Sequence, residues 1–158
     1  MKLSIITINR NNAKGLQKTM ESVFMQTFTE FEYVVVDGLS TDNSIVTIKN
    51  FEKHLTQQQN NQILQSFRWI SEPDTGVYQA MNKGIKMASG DYLLFLNSGD
   101  FLVDKRVIEN VFGKEQIADI LYGRCNVSDK GKVIWTSNPP LEISAIDLYE
   151  DGSSFTHE

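Results

Sequence analysis

Apolar positions along the chain alternate between two rhythms. Leu3 to Ile8 ("LSIITI") is β-branched and nearly continuously apolar, the pattern of a strand covered on both faces. Leu16, Met20, Val23 and Phe24 then recur at helical spacing behind a cap at Asn11 or Asn12. "FEYVVVDG" predicts a second buried strand ending at Asp37, and Ser40, Thr41 and Asp42 offer caps for a helix with Ile45, Ile48, Phe51 and Leu55 inward. "TQQQNNQ" reads as a polar surface loop, with His54 exposed beside it, and "ILQSFRWISE" as a third strand with a more open face.

A well-marked helix follows. Val77, Ala80, Met81, Gly84, Ile85 and Ala88 recur three and four apart, with Asp74 or Thr75 at the N-cap and Gly90 as the C-cap glycine. Gly84 is expected to let this helix lie close on the sheet. "YLLFL" predicts a fourth strand, and Asp104 offers a cap for a short helix carrying Val107, Ile108, Val111 and Phe112. "ADILYGRCNVSDKGKVIWTS" predicts two strands about a Ser-Asp-Lys-Gly turn. The periodicity weakens after Pro139-Pro140. This order of strands and helices is that of an α/β protein with a mainly parallel central sheet flanked by helices. No repeat or interdomain linker interrupts it, so one domain over 1–158 is expected.

Composition narrows the function. A chain of 158 residues with 41% hydrophobic and 22% charged residues can bury a sizeable core. A net charge of −5 without a Lys/Arg cluster argues against a nucleic-acid binder. Cys125 is the single cysteine, which leaves no disulfide framework or cysteine metal site. Neither a signal peptide nor a membrane span is legible, so a cytoplasmic protein is expected, with peripheral membrane association left open.

A parallel sheet lines up the carboxyl ends of its strands along one edge, where ligands bind. Here those ends carry Thr7, Asn9, Arg10 and Asn11; Asp37, Gly38 and Ser40; Glu72, Pro73 and Asp74; and Asn97, Ser98, Gly99 and Asp100. Any one of them alone reads as a turn or cap. Together they describe a rim whose carboxylates, Asp37, Asp74 and Asp100, accept from hydroxyl and amide-like edges and repel bare anions. A nucleotide diphosphate accompanied by Mg²⁺ or Mn²⁺ suits such a rim. No glycine-rich phosphate loop follows the first strand, which disfavours a dinucleotide site or a Walker ATPase.

Three of these stretches, "SIITINRN", "VVVDGLSTDNS" and "EPDTGVYQAMNKGIKMASGDYLLFLNSGD", occur in the order and spacing of the inverting family 2 glycosyltransferases, and the chain resembles that family from about residue 2 to 112. The "LNSGD" form resembles its branch in bacterial capsule, exopolysaccharide and lipopolysaccharide assembly. The resemblance implies a GT-A fold, Rossmann-like, and transfer of a sugar from a UDP- or GDP-sugar to a saccharide or lipid-linked saccharide, at the inner face of the plasma membrane. By position it implies that Thr7 and Asn9 line the base and ribose pocket and that Asp37 accepts from the nucleobase N–H. Asp74 and Gly76 lie beside the nucleoside, Asn97, Ser98 and Gly99 border the donor, and Asp100 is the metal ligand. Asn97 and Gly99 stand where many members carry Asp, which leaves one carboxylate for the cation.

Inverting transfer needs a general base, and no motif here supplies it. Glu142, Asp147, Glu150, Asp151, His157 and Glu158 qualify by chemistry only, so the base is expected beyond Glu158, in an acceptor-binding part that is truncated. Trp69 reads as core and Trp135 as hairpin packing, while Tyr78 stands on the helix turn nearest the rim. The alternatives are a catalytically inactive sugar-nucleotide-binding homologue and another α/β nucleotide- or flavin-binding module.

Overall fold

A computed structural model of the protein describes residues 3–57, 67–129 and 131–137. Glu142, Asp147, Glu150, Asp151, His157, Glu158 and most of the glutamine-rich loop lie outside the described residues. The chain divides into two compact units, Met1–Gln116 and Ile117–Glu158.

The first unit alternates strand and helix as its periodicity predicts: β1 (Leu3–Asn9), α1 (Ala13–Phe24), β2 (Phe31–Asp37), α2 (Ser44–Gln57), β3 (Phe67–Ser71), α3 (Val77–Met87), β4 (Tyr92–Phe95) and α4 (Val107–Phe112). All strand pairs are parallel, in the order β3-β2-β1-β4. Every residue of β1 and β2 is buried, because helices cover both faces. On one face Leu3, Ile5, Tyr33 and Val35 pack with Leu16, Met20 and Val23 of α1, Ile48 and Leu55 of α2 and Ile108 of α4. On the other, Ile6, Ile8, Val34 and Val36 meet Ala80 and Met81 of α3. Side-chain alternation along a strand thus sorts one run of apolar residues into two cores.

Sequential strands run β1, β2, β3 in one direction across the sheet, and α3 then carries the chain back to place β4 on the other side of β1. The order reverses between β1 and β4, and a crevice at such a point is where open α/β sheets bind ligands.

Several local expectations hold in detail. Asn12 is the N-cap of α1 and accepts from Gly15 N–H at 3.1 Å. Asp42 accepts from both the N–H and the hydroxyl of Ser44 at the start of α2. Trp69 packs against the larger core and donates to Glu52, and His54 is exposed. Gly84 faces Ile6 so closely that a Cβ there would run into the Ile6 Cγ2 methyl.

Other expectations are corrected. The N-cap of α3 is Gly76, at φ +145°, and neither Asp74 nor Thr75 caps it; Asp74 instead accepts from Gly76 N–H in a tight local turn. The helix stops at Ala88 by turning extended, not through a left-handed Gly90. Gly90 N–H, two residues on, is engaged by the Ser4 hydroxyl at 2.8 Å. Val77 and Ile85 are about half exposed, because α3 rests on the sheet through its small residues Ala80 and Gly84.

The second unit contains an antiparallel hairpin, β5 (Asn126–Asp129) and β6 (Lys132–Thr136), with Gly131 at φ +80° in the predicted turn. Trp135 pairs with Val127 across it and is more than half exposed. Among the described residues no helix is long and apolar enough to cross a membrane.

At the amino end of β2, Glu32 is buried at 2% exposure. Burial pushes its pKa up, but donors from Ser4, Ser89 (backbone and hydroxyl) and Arg68 outweigh it and hold the group at about 2. A lowered folded pKa contributes stability that is present above the unfolded value of 4.5 and lost as pH falls toward 2. Urea titrations are expected to lose on the order of 3 kcal/mol across that window, and Glu32→Gln is expected to flatten the loss. Gly84→Ala is expected to lower stability by about 1–2 kcal/mol, the overpacking cost exceeding the helix-propensity gain. A lower urea midpoint at unchanged slope is the readout.

Candidate functional site

The carboxyl ends of β1, β2 and β3 are in register: Asn9 stands opposite Asp37, and Asp37 opposite Ser71. Equal parity puts the three side chains on one face, and they join in a row. Asp37 has no exposed surface, and its carboxylate accepts four hydrogen bonds: Asn9 Nδ2 at 2.7 Å and the Ser40 hydroxyl at 2.6 Å on one oxygen, Ser40 N–H at 2.9 Å and the Ser71 hydroxyl at 2.8 Å on the other. Four is about the accepting capacity of a carboxylate. A buried charge persists only when so satisfied.

Thr7, one turn of the pleat below Asn9, is likewise wholly buried. Its hydroxyl lies 2.8 Å from the Leu96 carbonyl, which can only accept, so the Tyr33 hydroxyl at 2.9 Å donates to Thr7. Burial pushes the Tyr33 phenol upward and keeps it a donor. Thr7 and Asp37, expected to meet a ligand directly, are thus engaged beneath the rim.

Asn9 behaves differently. Its Nδ2 faces Asp37 and Ser40, an orientation fixed by the carboxylate, since the amide oxygen would repel it. The remaining Oδ1 is buried and has no partner among the described residues. The same holds for Asn97 Oδ1, beyond the end of β4 on the other side of the switch point. An unmatched buried acceptor costs about 1–3 kcal/mol, and each of these two strand ends holds one.

Asp74 closes the rim above β2. Gly38 leaves no room for a Cβ because the Asp74 carboxylate occupies the space, and the Arg10 guanidinium lies 3.8 Å from that carboxylate. Lys83 of α3 holds the segment in place through Glu72 at 3.0 Å and the Pro73 carbonyl at 2.6 Å. Asn11, at φ +52°, bridges to Thr41, and its N–H reaches Ser40. Gly76 has open space around it, Tyr78 is 79% exposed on the adjacent turn, and Leu39, at φ +55°, is exposed at the mouth.

The last strand end is a turn. Ser98 N–H extends the ladder to the Ile8 carbonyl, Asp100 N–H donates to the Asn97 carbonyl, and Gly99 takes φ +111°. Asn12 holds the turn by donating to the Ser98 carbonyl at 2.9 Å. Asp100 is exposed, and its carboxylate has no partner among the described residues. The three carboxylates therefore do not act alike: Asp37 is saturated, Asp74 has Arg10, and Asp100 alone faces outward unengaged.

No group of three His, Cys, Asp or Glu that could hold a metal occurs among the described residues. A preformed all-protein metal cage is therefore not what the residues fit. A Mg²⁺ or Mn²⁺ held by one carboxylate and completed by phosphate oxygens and water is.

An α/β sheet with its polar side chains gathered at the switch point is the architecture of nucleotide-binding proteins. The profile of Glycosyl transferase family 2 matches residues 4–150, and the chain belongs to that family. It is 35% identical over 125 residues, 76% of this chain and 45% of the relative, to a PGL/p-HBAD biosynthesis glycosyltransferase of Mycobacterium bovis (strain BCG / Pasteur 1173P2). It is 30% identical over 139 residues, 84% of this chain and 39% of the relative, to the poly(ribitol-phosphate) beta-N-acetylglucosaminyltransferase TarP of Staphylococcus aureus (strain N315). The chain spans less than half the length of these curated relatives. Among solved structures, S. aureus TarS 1-349 in complex with UDP-GlcNAc superposes with TM-score 0.60 at 26% identity, over 72% of this chain and 30% of that one.

Ser71 was not singled out in the sequence, although its place in register with Asp37 follows from strand pairing. Ser71→Ala is expected to cost about 1–2 kcal/mol, since it removes a hydrogen bond to a buried charge; thermal denaturation of the variant measures it.

Proposed function

We propose that the chain carries the donor-nucleotide site of a glycosyltransferase. The reaction moves a sugar from a UDP- or GDP-sugar to a hydroxyl of a saccharide or lipid-linked saccharide, with inversion, in bacterial cell-envelope polysaccharide biosynthesis. The observation that carries this reading is the pair of orphaned acceptors, Asn9 Oδ1 and Asn97 Oδ1, flanking the switch point beside the unengaged Asp100. Nucleoside N–H and hydroxyl groups are the donors such acceptors lack.

In this reading Asn9, Asp74 and Gly76 border the nucleoside, with Asp37 fixing Asn9 from below and Thr7 buried beneath the same strand end. Asn97, Ser98 and Gly99 border the ribose and diphosphate. Asp100 holds Mg²⁺ or Mn²⁺ together with phosphate oxygens, and the bound cation supplies neutralising charge for the nucleoside diphosphate as it leaves. The acceptor hydroxyl attacks the anomeric carbon from the opposite side and yields its proton to a base that no described residue supplies. A soluble nucleotide donor and a lipid-linked acceptor place the reaction at the cytoplasmic face of the plasma membrane.

A thermal-shift panel of UDP, GDP, CMP and FMN, each with and without Mn²⁺, tests the reading. UDP or GDP is expected to stabilise the chain in a Mn²⁺-dependent manner, by about 2.7 kcal/mol at a hundredfold excess over the dissociation constant. Asp100→Asn is expected to remove the Mn²⁺-dependent part. Stabilisation by FMN alone, or a metal response in Asp100→Asn equal to that of the unaltered chain, overturns it.

A further inference from the structure

The turn carrying Asp100 is exposed, yet its backbone is tied down from beneath by α1. Thr19 is fully buried. Its hydroxyl accepts Gly99 N–H at 2.9 Å and stands 2.6 Å from the Asp100 carbonyl. The Gly15 and Asn97 carbonyls are farther away, at 3.0 and 3.3 Å. A hydroxyl has one proton to give, and the shortest contact takes it. A helical threonine ordinarily bonds back to its own preceding turn; here the stronger contact is to a residue 81 positions away.

The same side of α1 continues the hold. The Ser22 hydroxyl accepts Leu102 N–H at 3.2 Å. Gln26 donates to the Asp104 carbonyl at 2.7 Å and accepts Ile108 N–H at 3.1 Å. Thr19 and Ser22 stand three apart on α1 and form one line along it, and Gln26 follows just past the helix end. Together they grip the chain from the end of β4 to α4.

We infer that Thr19 is the positioning residue for the cation-binding carboxylate. By holding Gly99 N–H and the Asp100 carbonyl at once, it fixes the backbone on both sides of the Asp100 Cα and so limits where the carboxylate can point. This rests on the reading of Asp100 as the carboxylate that meets the cation. A site with a single protein carboxylate depends on that fixing more than one with several, because no second ligand corrects a misplaced first. Preorganisation of this kind saves ordering entropy on binding.

The test compares Thr19→Val, which keeps the side-chain shape without the hydroxyl, with Thr19→Ser, which keeps the hydroxyl. Mn²⁺ binding is followed by loss of the free-ion electron paramagnetic resonance signal in the presence of UDP or GDP, whichever the unaltered chain binds. Nucleotide affinity without metal is measured alongside. Thr19→Val is expected to weaken Mn²⁺ binding by about 10–100-fold, the usual effect of losing an outer-shell partner. Thr19→Ser is expected to bind as the unaltered chain does, with metal-free nucleotide affinity the same in all three. Undiminished Mn²⁺ binding in Thr19→Val overturns the inference, and so does an equal loss of metal-free nucleotide binding, which marks a general packing defect.

If the valine variant does not fold, amide exchange on the unaltered chain decides: Gly99 N–H is expected to be protected by about tenfold or more despite its exposed position, and exchange at the unprotected rate overturns the inference. Absence of Mn²⁺ uptake by the unaltered chain, with Gly99 still protected, would instead remove the reading of Asp100 and with it the positioning role.

Discussion

A carboxylate with no exposed surface holds three strand ends together. Asp37 is bonded to Asn9 of β1 and Ser71 of β3, with Ser40 of its own loop completing the set. Among the described residues the donors to Asp37 are all neutral, so they carry the cost of desolvation, and nothing short of a full set would suffice. One consequence follows at the end of β1: because Asn9 turns its amide nitrogen to Asp37, its oxygen is left for something else.

Glu32, at the other end of the same strand, meets the same difficulty by different means. It also lies buried, but Arg68 joins the hydroxyl and backbone donors around it, at 2.6 Å. Arg68 is half exposed and occupies an edge strand, where a charged head can stay in water while its donors reach inward. Asp37 faces the same edge strand at Ser71, which offers a hydroxyl in place of a guanidinium. The amino end of the sheet is therefore braced by a charge pair and the carboxyl end by neutral groups.

α1 serves two structures at once. Leu16, Met20 and Val23 enter the larger core, while Thr19 and Ser22, on the adjoining line, and Gln26, just past the helix end, hold the segment after β4. The helix thereby couples the packing of the sheet to the geometry of its rim. Gly99 at φ +111° belongs to the same device, since a side chain there would be strained while its N–H meets Thr19.

Much of this was written in the order of the residues. The β-branched runs and helical stripes are local properties of the chain, so the elements, the α/β class and the polar character of every strand end could be read directly, along with the Asn12 cap and the close approach at Gly84. Strand order and side-chain state were not legible, because they depend on which distant segments meet. Asp37, Asp74 and Asp100 look alike in sequence, and only tertiary packing made one saturated, one paired with Arg10 and one open. Thr19 passed for an ordinary helical residue for the same reason: its partners lie some eighty positions away, and periodicity records the face a residue occupies, not the chain that arrives there.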